Sequence, residues 1–206
     1  MQGWADPPLS AAGAEQAAVL GRRLGAEGPG AVTGVVSSDL GRARETAAIL
    51  AGECGCPGPR PDARLREREI GWITGLTDEE ARDRYPAEVA AWREQRESRP
   101  PGGESTESVL RRAHAALDAL VAAGTGKGAA GAVGEAGTGE GAAGGVGEAV
   151  GVGAAGGGVV VAVSHGGLIS ALEREAGLGA GGFSNLTGRW VVPGGPARWQ
   201  MGERFG

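Results

Sequence analysis

The run VVVAVS, from Val159 to Ser164, restricts the architecture of this chain more than any other stretch. A continuous apolar run of strand length lacks the polar alternation of a half-exposed strand, so it belongs in a sheet covered on both faces. It leads at once into His165-Gly166-Gly167 and the helical pattern LISALEREAG, giving a strand, a tight turn and a helix. An earlier segment repeats the unit. Val32 to Ser37 reads as a short buried strand, Asp39 is placed to cap a helix, and Leu40, Ala43, Ala47 and Leu50 face inward up to a stop at Gly52. Strands alternating with helices predict an α/β fold, a three-layer α/β/α sandwich around a mostly parallel sheet.

The remaining segments fit around that frame. Ser10 opens a helix to about Ala26, and Ala63 to Arg66 reads as a brief strand. Thr77 with Glu80 forms a capping box, and Pro86 starts a second short helix, so that residues of about 68–104 make a small helical cap. Ser105 opens a further helix, whose apolar stripe is Val109, Leu110, Ala113, Leu117 and Leu120. Glycine supplies 42 of 206 residues, and its excess is concentrated between Gly124 and Gly158. That stretch holds no aromatic residue and reads as a flexible insertion in a single domain spanning 1–206.

Composition narrows the partners. A formal charge of −5 with scattered Lys and Arg disfavours nucleic acid. No apolar run reaches the roughly 18 residues of a membrane span, so a cytoplasmic protein without membrane contact is expected. Cys54 and Cys56 stand one residue apart, a spacing that suits neither a disulfide framework nor a four-ligand zinc site, and read as loop thiols. The composition leaves the oligomeric state open.

In open α/β sheets, ligands sit beyond the carboxyl ends of the strands, where helix N-termini point their free N–H groups. Ser37, Ser38 and Arg42 follow one strand, and His165, Gly166 and Gly167 follow another. An arginine, a histidine and two helix N-termini converging in this way describe an anion site, with Arg42, Ser37 and Gly166 as its phosphate-binding candidates.

Five segments carry a wider pattern in order along the chain: QGWADPPLSAAGAEQA, SSDLGRARET, LREREIG, PPGGES and VSHGG. Together they resemble the histidine phosphatase superfamily, which includes the cofactor-dependent phosphoglycerate mutases. The resemblance implies phosphoryl transfer from a small phosphorylated substrate through a phosphohistidine, with no metal or nucleotide cofactor. Arg42 matches the arginine that grips the phosphoryl oxygens, and His165 the second histidine, which stabilises charge on the phosphoryl group in flight. Glu67 matches the acid that protonates the leaving alkoxide and then activates water. Glu69 is the competing candidate, though the spacing to Gly71 favours Glu67.

The family's nucleophilic histidine belongs to an Arg-His-Gly motif on a first strand upstream of QGW, and this chain begins at Met1 just before QGW. The first strand is therefore expected to be absent, the natural protein to extend upstream, and this chain to be inactive as written. A phosphate-binding pseudoenzyme is the alternative. Mutases place a lysine where this chain reads LTDEE, and Asp78 would repel a phosphoglycerate carboxylate, which favours a phosphatase over mutase-type transfer. Ser170 stands where the family often has an arginine. His114, within a helix, reads as structural, and Trp4, Trp72 and Trp92 as packing for the cap. The GTGKG around Lys127 lacks the spacing of a phosphate loop.

Overall fold

Alternation along two adjacent strands decides how the layers stack. A computed structural model describes residues 1–27, 31–94, 99–124, 131–135, 148–153, 158–178, 187–193 and 199–205. Strand β1 (Ala31–Ser37) lies parallel to β5 (Gly158–Ser164) and to the short β2 (Arg60–Pro61). Val35 of β1 and Val159, Val161 and Val163 of β5 point to one face, where they pack with helices α1 (Ala11–Glu27) and α2 (Gly41–Cys54). Val36 and Ala162 point to the other, against α5 (Thr106–Gly124) and α6 (Gly166–Glu175). Each of these valines is at most 4 % exposed, and burial of one such side chain contributes about 1.5–3 kcal/mol. The valine run of β5 is thus the middle of the expected three-layer sandwich.

Beyond β5 the sheet continues through β4 (Glu148–Gly153), β3 (Gly131–Glu135), β6 (Thr187–Pro193) and β7 (Trp199–Phe205), in the order β2-β1-β5-β4-β3-β6-β7. This half is joined mainly antiparallel, at β5–β4, β4–β3, β3–β6 and β6–β7. Two of its strands fall inside the glycine-rich stretch 124–158, which corrects the expectation of a flexible insertion for those residues. GAVGE and EAVGVG lack the apolar surface for a core, but the sheet orders them through backbone pairing on both sides. Lys127 lies outside the described residues.

The helix starts follow their capping chemistry with one exchange. Ser10 Oγ accepts from Gly13 N at 3.1 Å, and Thr77 and Glu80 form a complete capping box on α3 (Asp78–Arg84). Pro86 opens α4 (Pro86–Arg93). The expected cap Asp39 does not serve α2, whose N-terminus is instead met from a distance by Asp6 Oδ2, which accepts from Gly41 N at 2.7 Å. Gly52 does not stop α2. The helix runs to Cys54, and Gly55 closes it in the left-handed conformation. Residues 63–65 form a single 3-10 turn rather than a strand, because Asp62 caps them through the Arg64 N–H.

The cap has its own small core of Ile70, Ile73, Ala81 and Val89. The start and end of the cap meet at Gly71. Gly71 sits at φ +60°, and a Cβ there would come within 2.3 Å of Pro101 O. Combining left-handed strain with displacement of backbone, Gly71→Ala is expected to lower the unfolding free energy by about 2–4 kcal/mol in urea denaturation. A change below about 0.5 kcal/mol would show that this junction yields freely.

Candidate active site

The carboxyl ends of β1 and β5 lie side by side, locked by Ser38 N donating to Val163 O at 2.8 Å. The first turn of α2 then carries Arg42 over the strand ends, and β5 delivers His165 directly before α6. Both side chains are buried, each 2 % exposed. Arg42 Nη2 donates to His165 Nδ1 at 3.3 Å, so the structure brings together the two residues that sequence pattern placed at one anion site.

The Arg42 guanidinium also holds the start of the chain. Its Nη1 donates to Ala5 O at 2.7 Å, its Nη2 to Gly3 O at 3.1 Å, and Asp6 Oδ1 lies 3.7 Å away. The QGWADPP segment therefore belongs to the site physically as well as by pattern.

His165 is held neutral. Burial pushes its imidazole well below the usual histidine range, and the positive charges of Arg42 and Arg112 push it further in the same direction. Because Nδ1 accepts from an arginine, the ring proton sits on Nε2. That Nε2 is buried and meets no hydrogen-bond acceptor among the described residues. Ser37 Oγ, at the end of the adjacent strand, is in the same condition. A buried donor left without an acceptor costs roughly 1–3 kcal/mol, and such groups mark positions where an acceptor is expected to enter.

Glu67 reaches the same place from the loop after the 3-10 turn. Its Oε2 accepts from Gly167 N, in the first turn of α6, at 3.2 Å, and its Oε1 accepts from Arg68 N at 2.6 Å. Glycine at 167 is required by this contact, since a Cβ there would stand 2.3 Å from Glu67 Oε1. The Glu69 carboxylate accepts from Gly71 N at 2.8 Å, a turn-forming role, while that of Glu67 meets the first turn of α6. Gly166 opens α6 next to His165. The remaining histidine, His114, is paired with Glu175 at 2.7 Å between α5 and α6.

Several residues of the site were not foreseen from sequence. Asp6 is one. Arg66 and Asp39 form a two-pronged ion pair, 2.6 Å at both contacts, and Arg66 lies over the Trp4 ring at 4.9 Å. The Trp4 Nε1–H donates to Glu67 O at 2.8 Å, so this indole braces the Glu67 peptide instead of packing the cap. Arg66's hydrogen bonds hold the Asp39 carboxyl below its ordinary range. Glu104 and Arg112 are the others; Glu104 stands in the turn just before α5 and Arg112 in its second turn, and their pairing at 2.9 Å left no periodic signal in the sequence. Asp78, expected to repel a substrate carboxylate, is met by Arg82 at 2.5 Å and by Arg93. Its charge is spent within the cap.

Comparison with known proteins gives a consistent set. A sequence profile of the histidine phosphatase superfamily (branch 1) matches residues 1–137. Probable phosphoglycerate mutase GpmB of Salmonella newport is 39 % identical over 122 residues, covering 57 % of this chain and 53 % of that protein. The chain thus spans about half the length of the curated relatives it matches. The solved structure of mycobacterial glucosyl-3-phosphoglycerate phosphatase with VO3 superimposes at a TM-score of 0.69 with 30 % identity, over 98 % of this chain and 88 % of that one. Bacillus stearothermophilus YhfR shares the fold at a TM-score of 0.69 with 24 % identity, over 98 % and 86 % of the two chains.

Proposed function

The chain belongs to the histidine phosphatase superfamily, and we infer from its site that it carries the anion-binding and proton-donating parts of a phosphomonoester hydrolase. The observation behind this reading is the buried His165 Nε2–H without an acceptor, beside Arg42 and within reach of the helix end that holds Glu67. A phosphoryl oxygen there would accept from Nε2, and Arg42 would add its charge behind the ring. Glu67, once protonated, would supply the proton that a leaving alkoxide needs.

Phosphatase chemistry is favoured over mutase transfer. The solved mycobacterial phosphatase, which superimposes over 98 % of this chain at 30 % identity, supports that preference.

His165 is the donor in this scheme and not the nucleophile. Attack on phosphorus needs a nitrogen lone pair; Arg42 occupies the one on Nδ1, and Nε2 carries the proton. His114 is bound to Glu175, between α5 and α6. Residues 1–206 therefore bind the phosphoryl group without forming a phosphohistidine of their own, and turnover requires a nucleophile beyond these two histidines.

The expected result is that the purified chain binds orthovanadate and phosphate in calorimetry but releases no nitrophenol from 4-nitrophenyl phosphate. Incubation with radiolabelled acetyl phosphate should leave no acid-labile label. Label recovered on His165 would overturn the assignment of roles, and absence of vanadate binding would overturn the site itself.

A further inference from the structure

We propose that Arg112, backed by Glu104, is the positioning residue that fixes where the Glu67 carboxylate meets α6. This rests on the reading of Glu67 as the acid. An arginine has five N–H donors in a rigid fork, and Arg112 uses all five. Nη1 donates to Arg64 O at 2.8 Å and to Arg66 O at 2.5 Å, and Nη2 donates to Glu67 O at 3.0 Å. The other two contacts are Nε to Glu104 Oε1 at 3.0 Å and Nη2 to Glu104 Oε2 at 2.9 Å.

Three of these acceptors are the carbonyls of the segment that leads into the acid. The Glu67 carbonyl is gripped twice, by Arg112 and by the Trp4 indole. Glu104 closes the frame from the other side, since its backbone N–H donates to Glu69 O at 2.8 Å and its carboxylate accepts from Ser108 Oγ at 2.9 Å. Residues 64–69 are thus held on both sides of Glu67 by one ion pair rooted in α5. Burial raises the Glu104 carboxyl, but the hydrogen bonds and charge of Arg112 outweigh it and keep that carboxyl below its ordinary range.

A guanidinium so completely engaged has no donor left for substrate, which excludes Arg112 as a second phosphate grip. Lysine could not replace it, because one ammonium has three donors and no fork, and these five contacts fan out in a plane.

The position of the acid can be read without turnover. Two backbone amides, Gly167 and Arg68, donate to the Glu67 carboxylate, and amide protons bound to a carboxylate resonate downfield. In 15N-labelled full chain at neutral pH, Glu67→Gln provides the reference for the uncharged contact. Arg112→Lys is expected to move both amide resonances at least halfway to the Glu67→Gln positions. The Glu80 amide, in the capping box of α3, should stay in place as an internal control. Glu104→Gln, which keeps the shape of the pair and removes its charge, should move the same two resonances in the same direction, and it serves if the lysine variant does not fold. Gly167 and Arg68 amides unmoved in either folded variant would overturn the proposal. Failure of the functional reading appears separately, as absence of vanadate binding by the unmodified chain.

Discussion

Replacing Arg42 by alanine is expected to lower the unfolding free energy by about 3–5 kcal/mol and to abolish vanadate binding, the largest single-site effect in the molecule. The side chain is 2 % exposed and serves three acceptors, the carbonyls of Gly3 and Ala5 and the Nδ1 of His165. Removing it strands all three, and each buried acceptor without a donor costs roughly 1–3 kcal/mol. The segment of residues 3–6 would then lose its hold on the start of α2, where Asp6 now accepts from Gly41 N. Arg42→Lys keeps a charge but reaches fewer acceptors, so it should fall between wild type and alanine in both urea midpoint and affinity. An alanine variant within about 0.5 kcal/mol of wild type would mean that the Arg42 contacts are not part of the native core.

The second large effect lies on the acid side. His165 in the folded chain titrates well below 6.5, while the unfolded chain takes up a proton near 6.5. Below that pH the unfolded state binds the extra proton, so stability falls as pH falls, by up to ~1.4 kcal/mol per pH unit, until the folded pKa is reached. Carboxyls held low by arginines, such as Asp39 and Glu104, act in a different window: their contribution is present above about pH 4.5 and is lost beneath it. Urea unfolding at pH 7.5, 6.5 and 5.5 should therefore show a loss assignable to His165, and His165→Gln should flatten the curve across that range. A wild-type curve already flat from 7.5 to 5.5 would count against a buried neutral imidazole. Phosphate should oppose the loss, because an anion at Nε2 favours the charged ring.

Much of this site could be read from sequence because its chemistry is local to strand ends. Ser37, Arg42 and His165 were placed by an apolar run, a turn and a helix start, and the structure gathers them at the carboxyl ends of two neighbouring parallel strands. Glu67 needed a family pattern, since nothing in LREREIG itself says which carboxylate meets the start of α6. Contacts between segments distant in sequence were not legible. Asp6 caps α2 from 35 residues away, and Asp39, a correct cap by residue type, is drawn off by Arg66, whose two-pronged pairing outweighs a single cap bond. The glycine-rich strands β3 and β4 were missed because glycine interrupts their short apolar runs and they pair with the strands beside them.

One contact gives the molecule a property of a different kind. Trp4 has its N–H bound to the Glu67 carbonyl and its ring covered by Arg66, while 41 % of the residue faces solvent. An indole fixed at one edge and held under a cation on one face emits according to both contacts. Movement of the segment that carries Glu67 should change the emission of Trp4, so this indole is an optical gauge built into the same strut, read as the difference between the chain and its Trp4→Phe variant.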